Sequence, residues 1–301
     1  MSNTSYSKGV FFAVSGFFIW GVLPLYWRLL ESVTPLHLLA FRILLSLLLL
    51  AVILSLQKNF LWLTVFKDSK NGSMILLASL ILCINWGVFI WAVNNGRVIE
   101  ASLGYYINPL LSVVLGLIFF REKLSVLQWT AFGFACLGVL ILTLLSGTLP
   151  WISVVLAVCF AFYGVLKKKI NLPSTESLAA ETLAAAPVGI FLLFVRVDMT
   201  EGLIPGVQNL SYISALGAGV LIPLAFSGLL TSLPLYCFGH GAKLLPLSSL
   251  GFFQFIAPTI SFLIAIFVFG EFFPLYHFAA FAFIWLAAIL YIISLKRQAS
   301  G

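Results

Sequence analysis

Ten long apolar runs dominate this sequence. They can be drawn at residues 10–29, 36–56, 73–94, 101–119, 125–145, 150–166, 178–195, 214–238, 246–269 and 275–295. Each run is long enough to cross a hydrocarbon core of about 30 Å as a helix, and none shows the polar/apolar alternation of barrel strands. Because only 8% of the residues are charged and the mean hydropathy is +1.15, we predict an all-α membrane protein with ten transmembrane helices.

A duplicated stretch indicates how these helices are organised. Residues 102–106 (Ser-Leu-Gly-Tyr-Tyr) return as residues 249–253 (Ser-Leu-Gly-Phe-Phe). Each copy continues through a proline, Pro109 or Pro258, to a glutamate thirteen residues later, Glu122 or Glu271. Between the glycine and the proline the second copy holds two extra residues, so we predict that the ninth helix bends differently from the fourth. Five spans per half is an odd number, so the second copy is expected to sit inverted in the bilayer. We therefore predict two inverted five-helix repeats, residues 1–146 and 147–301, an organisation typical of small-solute transporters.

The positive charges predict the topology. If the N-terminus lies in the cytoplasm, only Arg28, Arg97 and Arg196 fall outside. Twelve basic residues then fall inside: Lys8, Lys58, Lys67, Lys70, Arg121, Lys123, Lys167, Lys168, Lys169, Lys243, Lys296 and Arg297. This bias follows the positive-inside rule. The net charge of +7 therefore reflects the topology and contact with anionic lipid headgroups, and it does not indicate binding of nucleic acid. The three lysines at residues 167–169 are interpreted as a stop signal.

Several classes of site are not indicated. The four cysteines occupy predicted spans at unrelated spacings, so neither a metal site nor a disulfide framework is expected. No glycine-rich phosphate motif is present, and we expect no cofactor and no ATP-driven pumping. Nine acidic residues scattered singly argue against a membrane enzyme, so we predict that the protein is not an enzyme. The first apolar run is interpreted as a retained helix and not as a signal peptide.

Three polar strings resemble a known family. They are residues 85–94 (Asn-Trp-Gly-Val-Phe-Ile-Trp-Ala-Val-Asn), 100–109 (Glu-Ala-Ser-Leu-Gly-Tyr-Tyr-Ile-Asn-Pro) and 250–259 (Leu-Gly-Phe-Phe-Gln-Phe-Ile-Ala-Pro-Thr). Together with the paired repeats, they resemble the EamA domains of the drug/metabolite transporter superfamily, and more narrowly its RarD-like branch. The resemblance implies a ten-helix carrier of the bacterial inner membrane that works by alternating access around a central cavity. It implies little about the substrate.

Two charged residues inside predicted spans are the first candidates for function. Arg42 lies in an otherwise apolar stretch, where a charge costs about 2.5 to 3.5 kcal/mol on insertion scales. It is either a clamp for a substrate carboxylate or phosphate, or a member of a structural ion pair or a snorkelling side chain. Glu181 occupies nearly the equivalent place in the second half. It is either a proton-coupling group or a partner for a lysine on the cytoplasmic side.

Polar and aromatic stripes supply the remaining candidates. Substrate contacts are assigned to Trp20, Asn85, Trp86, Tyr105, Asn108, Tyr163 and Gln254, and gating to Pro109 and Pro258 along with Glu181. The stripe on the fourth helix (Tyr105, Asn108 and Ser112) and the stripe on the ninth (Gln254, Pro258 and Ser261) would face each other and line a central pocket, with the prolines freeing backbone carbonyls. Packing between helices is the alternative. Trp27 and Trp91 are assigned to the interfacial belt, and Glu122 and Glu271 to structural roles. His240 is predicted to be a loop residue at a span end.

These features favour a secondary transporter that exports a small amphiphilic or carboxylated metabolite such as an amino acid. The alternatives are import of a nucleotide-like or vitamin-like metabolite, transport of a chloramphenicol-type drug, and a membrane scaffold without flux. The expected partners are a small-molecule substrate, protons as a candidate coupling ion, and the lipid bilayer, with no nucleic acid. The chain is expected to be a monomer or a homodimer.

Overall fold

A computed structural model describes residues 3–145, 151–198, 202–205, 216–270, 272 and 274–300. Within these residues ten helical spans are long and apolar enough to cross a membrane, which confirms the prediction. The helices are α1 (Asn3–Trp27), α2 (Pro35–Leu56), the short α3 (Leu61–Thr64), α4 (Ser69–Asn94), α5 (Val98–Phe120), α6 (Val126–Leu145), α7 (Trp151–Lys169), α8 (Ser174–Leu193), α9 (Ala218–Leu244), α10 (Leu247–Gln254), α11 (Ile256–Phe267) and α12 (Leu275–Ser300).

Successive spans alternate in direction, so the bundle has two chemically different ends. One end carries the last turns of α2, α7 and α9 and the lysines near them, including Lys58, Lys167 and Lys243. We call it the basic end. The opposite end carries the last residues of α1 and α4 and the starts of α2 and α5, with Arg28 and Arg97.

The ninth span is broken, whereas the fourth is continuous. Helix α5 runs through Pro109, but the span containing Pro258 divides at Phe255 into α10 and α11. This confirms that the ninth span bends differently from the fourth. Proline has no backbone N–H, so Pro109 and Pro258 remove the donors that would bond the carbonyls of Tyr105 and Gln254. Both carbonyls belong to predicted substrate-contact residues.

Small residues allow the helices to cross closely. A Cβ at Gly228 of α9 would lie 2.6 Å from the backbone nitrogen of Ser46 in α2, so only glycine permits this approach. A Cβ at Gly138 of α6 would likewise lie 2.7 Å from the carbonyl oxygen of Ala280 in α12. These crossings set the positions of the polar side chains nearby.

The packing of the two halves is reciprocal. Helix α1 packs on α9 as α7 packs on α4, and α5 packs on α7 as α11 packs on α1. Helices α2 and α8 pack on each other, as do α6 and α12. The buried polar residues concentrate where α2, α5, α7, α8, α9 and α10 meet, and they include Ser46, Asn108, Lys167, Glu181, Thr231 and Gln254.

Two local features differ from the predictions. Helix α9 continues to Leu244, beyond the predicted end at residue 238, so the prediction that His240 is a loop residue was wrong. Its Nδ1 bonds the carbonyl of Tyr236 one turn earlier, as expected inside a helix. After α8, strands β1 (Val195–Asp198) and β2 (Gly202–Pro205) form a short antiparallel hairpin outside the spans. Glu271 and the predicted boundary between the repeats lie outside the described residues.

Candidate functional site

Arg42 presents a positive charge inside the bundle, and no carboxylate among the described residues pairs with it. Its Nε donates a hydrogen bond of 3.0 Å to Oγ1 of Thr231 in α9. Among the described residues, no carboxylate oxygen lies within 4.0 Å of its guanidinium. The structural ion pair that the sequence left open is therefore not observed in the described part of the chain. The hydrogen bond to Thr231 instead fixes one edge of the guanidinium.

Two indole rings flank this guanidinium. Its Cζ lies 4.7 Å from the ring centroid of Trp27 and 5.7 Å from that of Trp86. Aromatic faces attract cations at such distances, so the two rings help to stabilise the positive charge of Arg42. Trp86, which the sequence assigned to substrate contact, thus lies close to Arg42. The interfacial assignment of Trp27 missed this contact.

About half of the surface of Tyr105 is not covered by other residues of the bundle, although the residue lies two turns inside α5. Its side chain is 50% exposed, and its hydroxyl is close enough to Arg42 for the two groups to interact electrostatically. Tyr105 also borders a cavity of about 10 Å³ that is lined by Asn85, Gly104, Tyr105, Asn108, Leu156 and Phe160. A cavity of this size holds about one water molecule. The amide of Asn85 donates a hydrogen bond of 2.9 Å to the carbonyl of Leu156 at its edge.

The polar stripes of the fourth and ninth spans meet. The amide of Gln254 donates a hydrogen bond of 3.1 Å to Oγ of Ser112, and Oγ of Ser112 lies 3.5 Å from Oδ1 of Asn108. All three side chains are buried. The predicted opposition of the two stripes is therefore observed for Gln254, whereas Ser261 of the ninth span donates a hydrogen bond of 3.1 Å to the carbonyl of Gly21 in α1. In this conformation they bond each other and leave no large space between them.

An aromatic layer lies below this polar cluster, towards the basic end. It consists of Phe17, Trp20, Phe160, Tyr163 and Phe238, on α1, α7 and α9. The ring of Trp20 lies 5.7 Å from that of Phe160, and Tyr163 stacks on Phe238 at 5.7 Å. Trp20 and Tyr163, which the sequence assigned to substrate contact, thus pack within the layer.

A buried ion pair lies on the other side of the layer. Nζ of Lys167 is 2.7 Å from Oε1 of Glu181, and Oγ of Ser177 donates to the same oxygen at 2.6 Å. The hydroxyl of Tyr163 donates to Oε2 at 2.8 Å. Lys167 is 0% exposed, so this residue of the predicted stop signal faces the interior. The lysine partner considered for Glu181 is observed, although it is buried and not at the membrane surface.

Glu122 and Pro109 have structural contacts. The carboxylate of Glu122 accepts hydrogen bonds from the backbone N–H groups of Leu247 and Ser248, at 2.6 and 2.8 Å, and so caps the first turn of α10. A Cβ at Gly251 would lie 2.7 Å from the carbonyl oxygen of Pro109, so α10 packs directly on the proline of α5. Pro258 lies in the first turn of α11, just after the break.

A polar cluster on α9 was not predicted from the sequence. Oγ of Ser46 and Oγ of Ser232 both donate to the carbonyl of Gly228, at 2.9 and 2.6 Å. Thr231, one turn beyond Gly228, holds Arg42. The signal was the group of small and hydroxylated residues Ser227, Gly228, Thr231 and Ser232 in a largely apolar helix, a composition typical of close helix crossings in membranes.

No group of three or more histidine, cysteine or acidic side chains that could hold a metal ion occurs in the described part of the chain. The four cysteines are free thiols. The polar groups of the candidate site are instead a guanidinium, amides and hydroxyls. Such groups bind a ligand by charge and hydrogen bonds.

The chain resembles known proteins along almost its whole length. It is 40% identical to "Uncharacterized transporter YojE" of Bacillus subtilis (strain 168), over 98% of this chain and 96% of the relative. It is 37% identical to "Protein RarD" of Escherichia coli (strain K12), over 95% and 94% of the two chains. A solved crystal structure of a protein with 18% identity shares the fold, with a TM-score of 0.73 over 97% of this chain and 99% of that one. Residues 7–144 match the EamA-like transporter family, and the chain belongs to this family.

Proposed function

We propose that the protein is a secondary transporter that exports a small amphiphilic or carboxylated metabolite, such as an amino acid. The observation that carries this proposal is the environment of Arg42: a guanidinium bonded by Thr231, flanked by Trp27 and Trp86, and without a carboxylate within 4.0 Å among the described residues. A guanidinium held along one edge keeps donors for an anion. Tyr105, Asn85, Asn108 and Gln254 would contact the remainder of the substrate.

Alternating access is the proposed mechanism. It requires the interior to be open towards one end of the bundle while the other end is obstructed, and the two ends differ in this respect. Towards the opposite end, Tyr105 is half exposed and Arg42 is only partly buried. Towards the basic end, the aromatic layer and the Lys167–Glu181 pair obstruct the interior. The conformation is thus consistent with a carrier open towards the opposite end. The reciprocal packing supports the proposal that residues 1–146 and 147–301 are inverted repeats that move relative to each other.

The membrane orientation and the coupling ion also belong to this proposal. The positive-inside rule supports an inner-membrane location with the basic end and both termini in the cytoplasm. Opening of the basic end would then separate Lys167 from Glu181 and expose the carboxylate to cytoplasmic water, where it can exchange a proton. A test is transport into vesicles with an imposed proton gradient. Stimulation of the wild type but not of Glu181→Gln supports proton coupling, and equal stimulation of both rejects it.

Comparison of culture media by untargeted mass spectrometry tests the export proposal. The cells would overproduce the wild type, Arg42→Gln or Arg28→Gln, where Arg28 is an exposed arginine over the ring of Phe269 at the opposite end. We expect a carboxylated metabolite to accumulate outside with the wild type and with Arg28→Gln, and to be lost with Arg42→Gln. If the three media are identical while the proteins are folded and inserted, export under those conditions is rejected.

Uptake of a nucleotide-like metabolite is the second candidate. The observation that favours it is the proximity of one guanidinium to two indole rings, since a nucleotide offers both a phosphate and a base that stacks. Counterflow in vesicles of defined orientation separates the candidates. Accumulation that proceeds only from the outer face, with nucleotide-like solutes as effective competitors, would favour uptake over export.

A further inference from the structure

A second cavity, distinct from the Arg42 site, lies at the basic end. It has a volume of about 500 Å³ and is formed by the α7–α8 connection and the last turns of α9. The residues that line it are Lys168, Ile170, Asn171, Leu172, Pro173, Ser174, His240, Lys243 and Leu244. We call it the basic-end cavity. The Arg42 site lies beyond the aromatic layer, so the two sites are separate in this structure.

Lys243 supplies the charge available to a ligand in this cavity. Among the described residues, no carboxylate oxygen lies within 4.0 Å of its ammonium. The ammonium of Lys168 is already engaged, because it donates to the carbonyl of Leu245 and lies 3.9 Å from Glu122. Lys243 is in the last turn of α9, where a basic side chain reaches the level of the headgroups.

His240 adds a ring nitrogen that can accept a hydrogen bond. Its Nδ1 lies 3.2 Å from the carbonyl oxygen of Tyr236, and because a carbonyl only accepts, Nδ1 carries the proton. Nε2 is then the remaining ring nitrogen and accepts a hydrogen bond when the ring is neutral. The ring stacks on Phe12, with centroids 4.7 Å apart, and also contacts Tyr236, at 4.3 Å, so these two aromatic contacts orient it.

The carboxylates near the cavity already have partners. Glu176, which interacts electrostatically with His240 and Lys243, accepts a hydrogen bond of 2.7 Å from the amide of Asn59. Glu181 is paired with Lys167. Neither lines the cavity. The cavity therefore combines an ammonium, a hydrogen-bond acceptor and the aliphatic side chains of Ile170, Leu172 and Leu244.

We propose that the basic-end cavity binds a phosphate esterified to an alcohol that has free hydroxyl groups, such as glycerol. The proposed occupant is the headgroup of an anionic phospholipid such as phosphatidylglycerol. Lys243 pairs with the phosphate, Nε2 of His240 accepts from a glycerol hydroxyl, and the aliphatic residues contact the glycerol backbone. Basic pockets at the ends of transmembrane helices bind anionic headgroups for this reason. This site is independent of which solute the carrier transports. A soluble glycerol phosphate has the same chemistry and is the other source to test.

Thermal unfolding of the purified full-length protein in phosphatidylcholine nanodiscs tests the proposal. One arm adds dioleoylphosphatidylglycerol to the nanodiscs, and the other adds soluble glycerol 3-phosphate. The variants are Lys243→Gln, the charge-preserving Lys243→Arg, and the matched control Lys169→Gln. Lys169 lies on the same helix end as Lys168, but it packs over the ring of Phe119 at 4.8 Å and does not line the cavity.

We expect phosphatidylglycerol to raise the melting temperature of the wild type, Lys169→Gln and Lys243→Arg, and the rise in Lys243→Gln to be less than one third of theirs. If the melting temperature depends on Lys243 only in the arm with glycerol 3-phosphate, the phosphate site is supported but its ligand is soluble, and the lipid assignment is overturned. Equal shifts in Lys243→Gln and Lys169→Gln, or no shift in either arm, would overturn the proposal. Lys243→Arg separates loss of the site from a folding defect.

Discussion

Nζ of Lys167 lies 2.7 Å from Oε1 of Glu181, and the two side chains are 0% and 2% exposed. Two opposite charges are thus enclosed within the bundle, with Ser177 and Tyr163 as additional hydrogen-bond donors to the carboxylate. Taking charges out of water is costly, and their mutual attraction with good hydrogen bonds offsets that cost only while they stay together. In the proposed alternating-access mechanism, the two charges would separate when the basic end opens.

Breaking this pair from one side is expected to be more harmful than removing both charges. Lys167→Met or Glu181→Gln alone leaves a buried charge without its partner, at a cost of about 3 to 5 kcal/mol in stability. The double variant, with Lys167→Met and Glu181→Gln together, should recover most of that loss. Thermal unfolding in detergent of the four proteins gives the double-mutant cycle. Additive losses would show that the pair does not stabilise this state.

The positive charge of Arg42 is expected to be insufficient for transport without the planar geometry of its guanidinium. Arg42→Lys keeps the positive charge but loses the planar group that Thr231 orients and the indoles flank. We expect transport to fall at least tenfold, which is about 1.4 kcal/mol. Arg28→Lys is the matched control and should transport normally. Normal transport by Arg42→Lys would mean that the residue acts as a simple point charge.

The crossing of α2 and α9 is expected to tolerate only glycine at position 228. In Gly228→Ala the added methyl group would lie 2.6 Å from the backbone nitrogen of Ser46, so the two helices must separate and Thr231 must move relative to Arg42. Overpacking of this kind costs about 1 to 3 kcal/mol. Gly87→Ala in α4, with nothing within 4 Å of its added methyl group, is the control. Equal melting temperatures for the two variants would contradict the close crossing.

Loss of the carboxylate that caps α10 is expected to destabilise the protein. Glu122→Ala removes the acceptor for the N–H groups of Leu247 and Ser248, and loss of a helix cap costs about 0.5 to 2 kcal/mol. Glu122→Gln keeps one oxygen and should lose less. Glu31→Ala, at an exposed position before α2, is the control. Thermal unfolding distinguishes the three, and an unchanged melting temperature for Glu122→Ala would rule out the cap as a stabilising contact.

The local sequence was sufficient to predict the ten spans and to predict that the ninth helix bends differently from the fourth. The two extra residues before Pro258 indicated that this helix bends differently from the fourth, and the chain does break at Phe255. The end of α9 was predicted too early because the Gly-His-Gly stretch at residues 239–241 suggests a loop. The helix continues because Gly239 and Gly241 pack closely on neighbouring residues, including Lys167 and Ala13.

By itself, the sequence determined the ten spans and singled out Arg42 and Glu181, because lipid requires each span to satisfy its own backbone and makes an intramembrane charge conspicuous. Only the tertiary structure decided their partners. Thr231 is 189 residues from Arg42, and Leu247 is 125 residues from Glu122. Even Lys167, 14 residues from Glu181, looked like a surface lysine. Burial and pairing depend on which helices cross and where, and small residues such as Gly228 set those crossings through contacts that no local pattern contains.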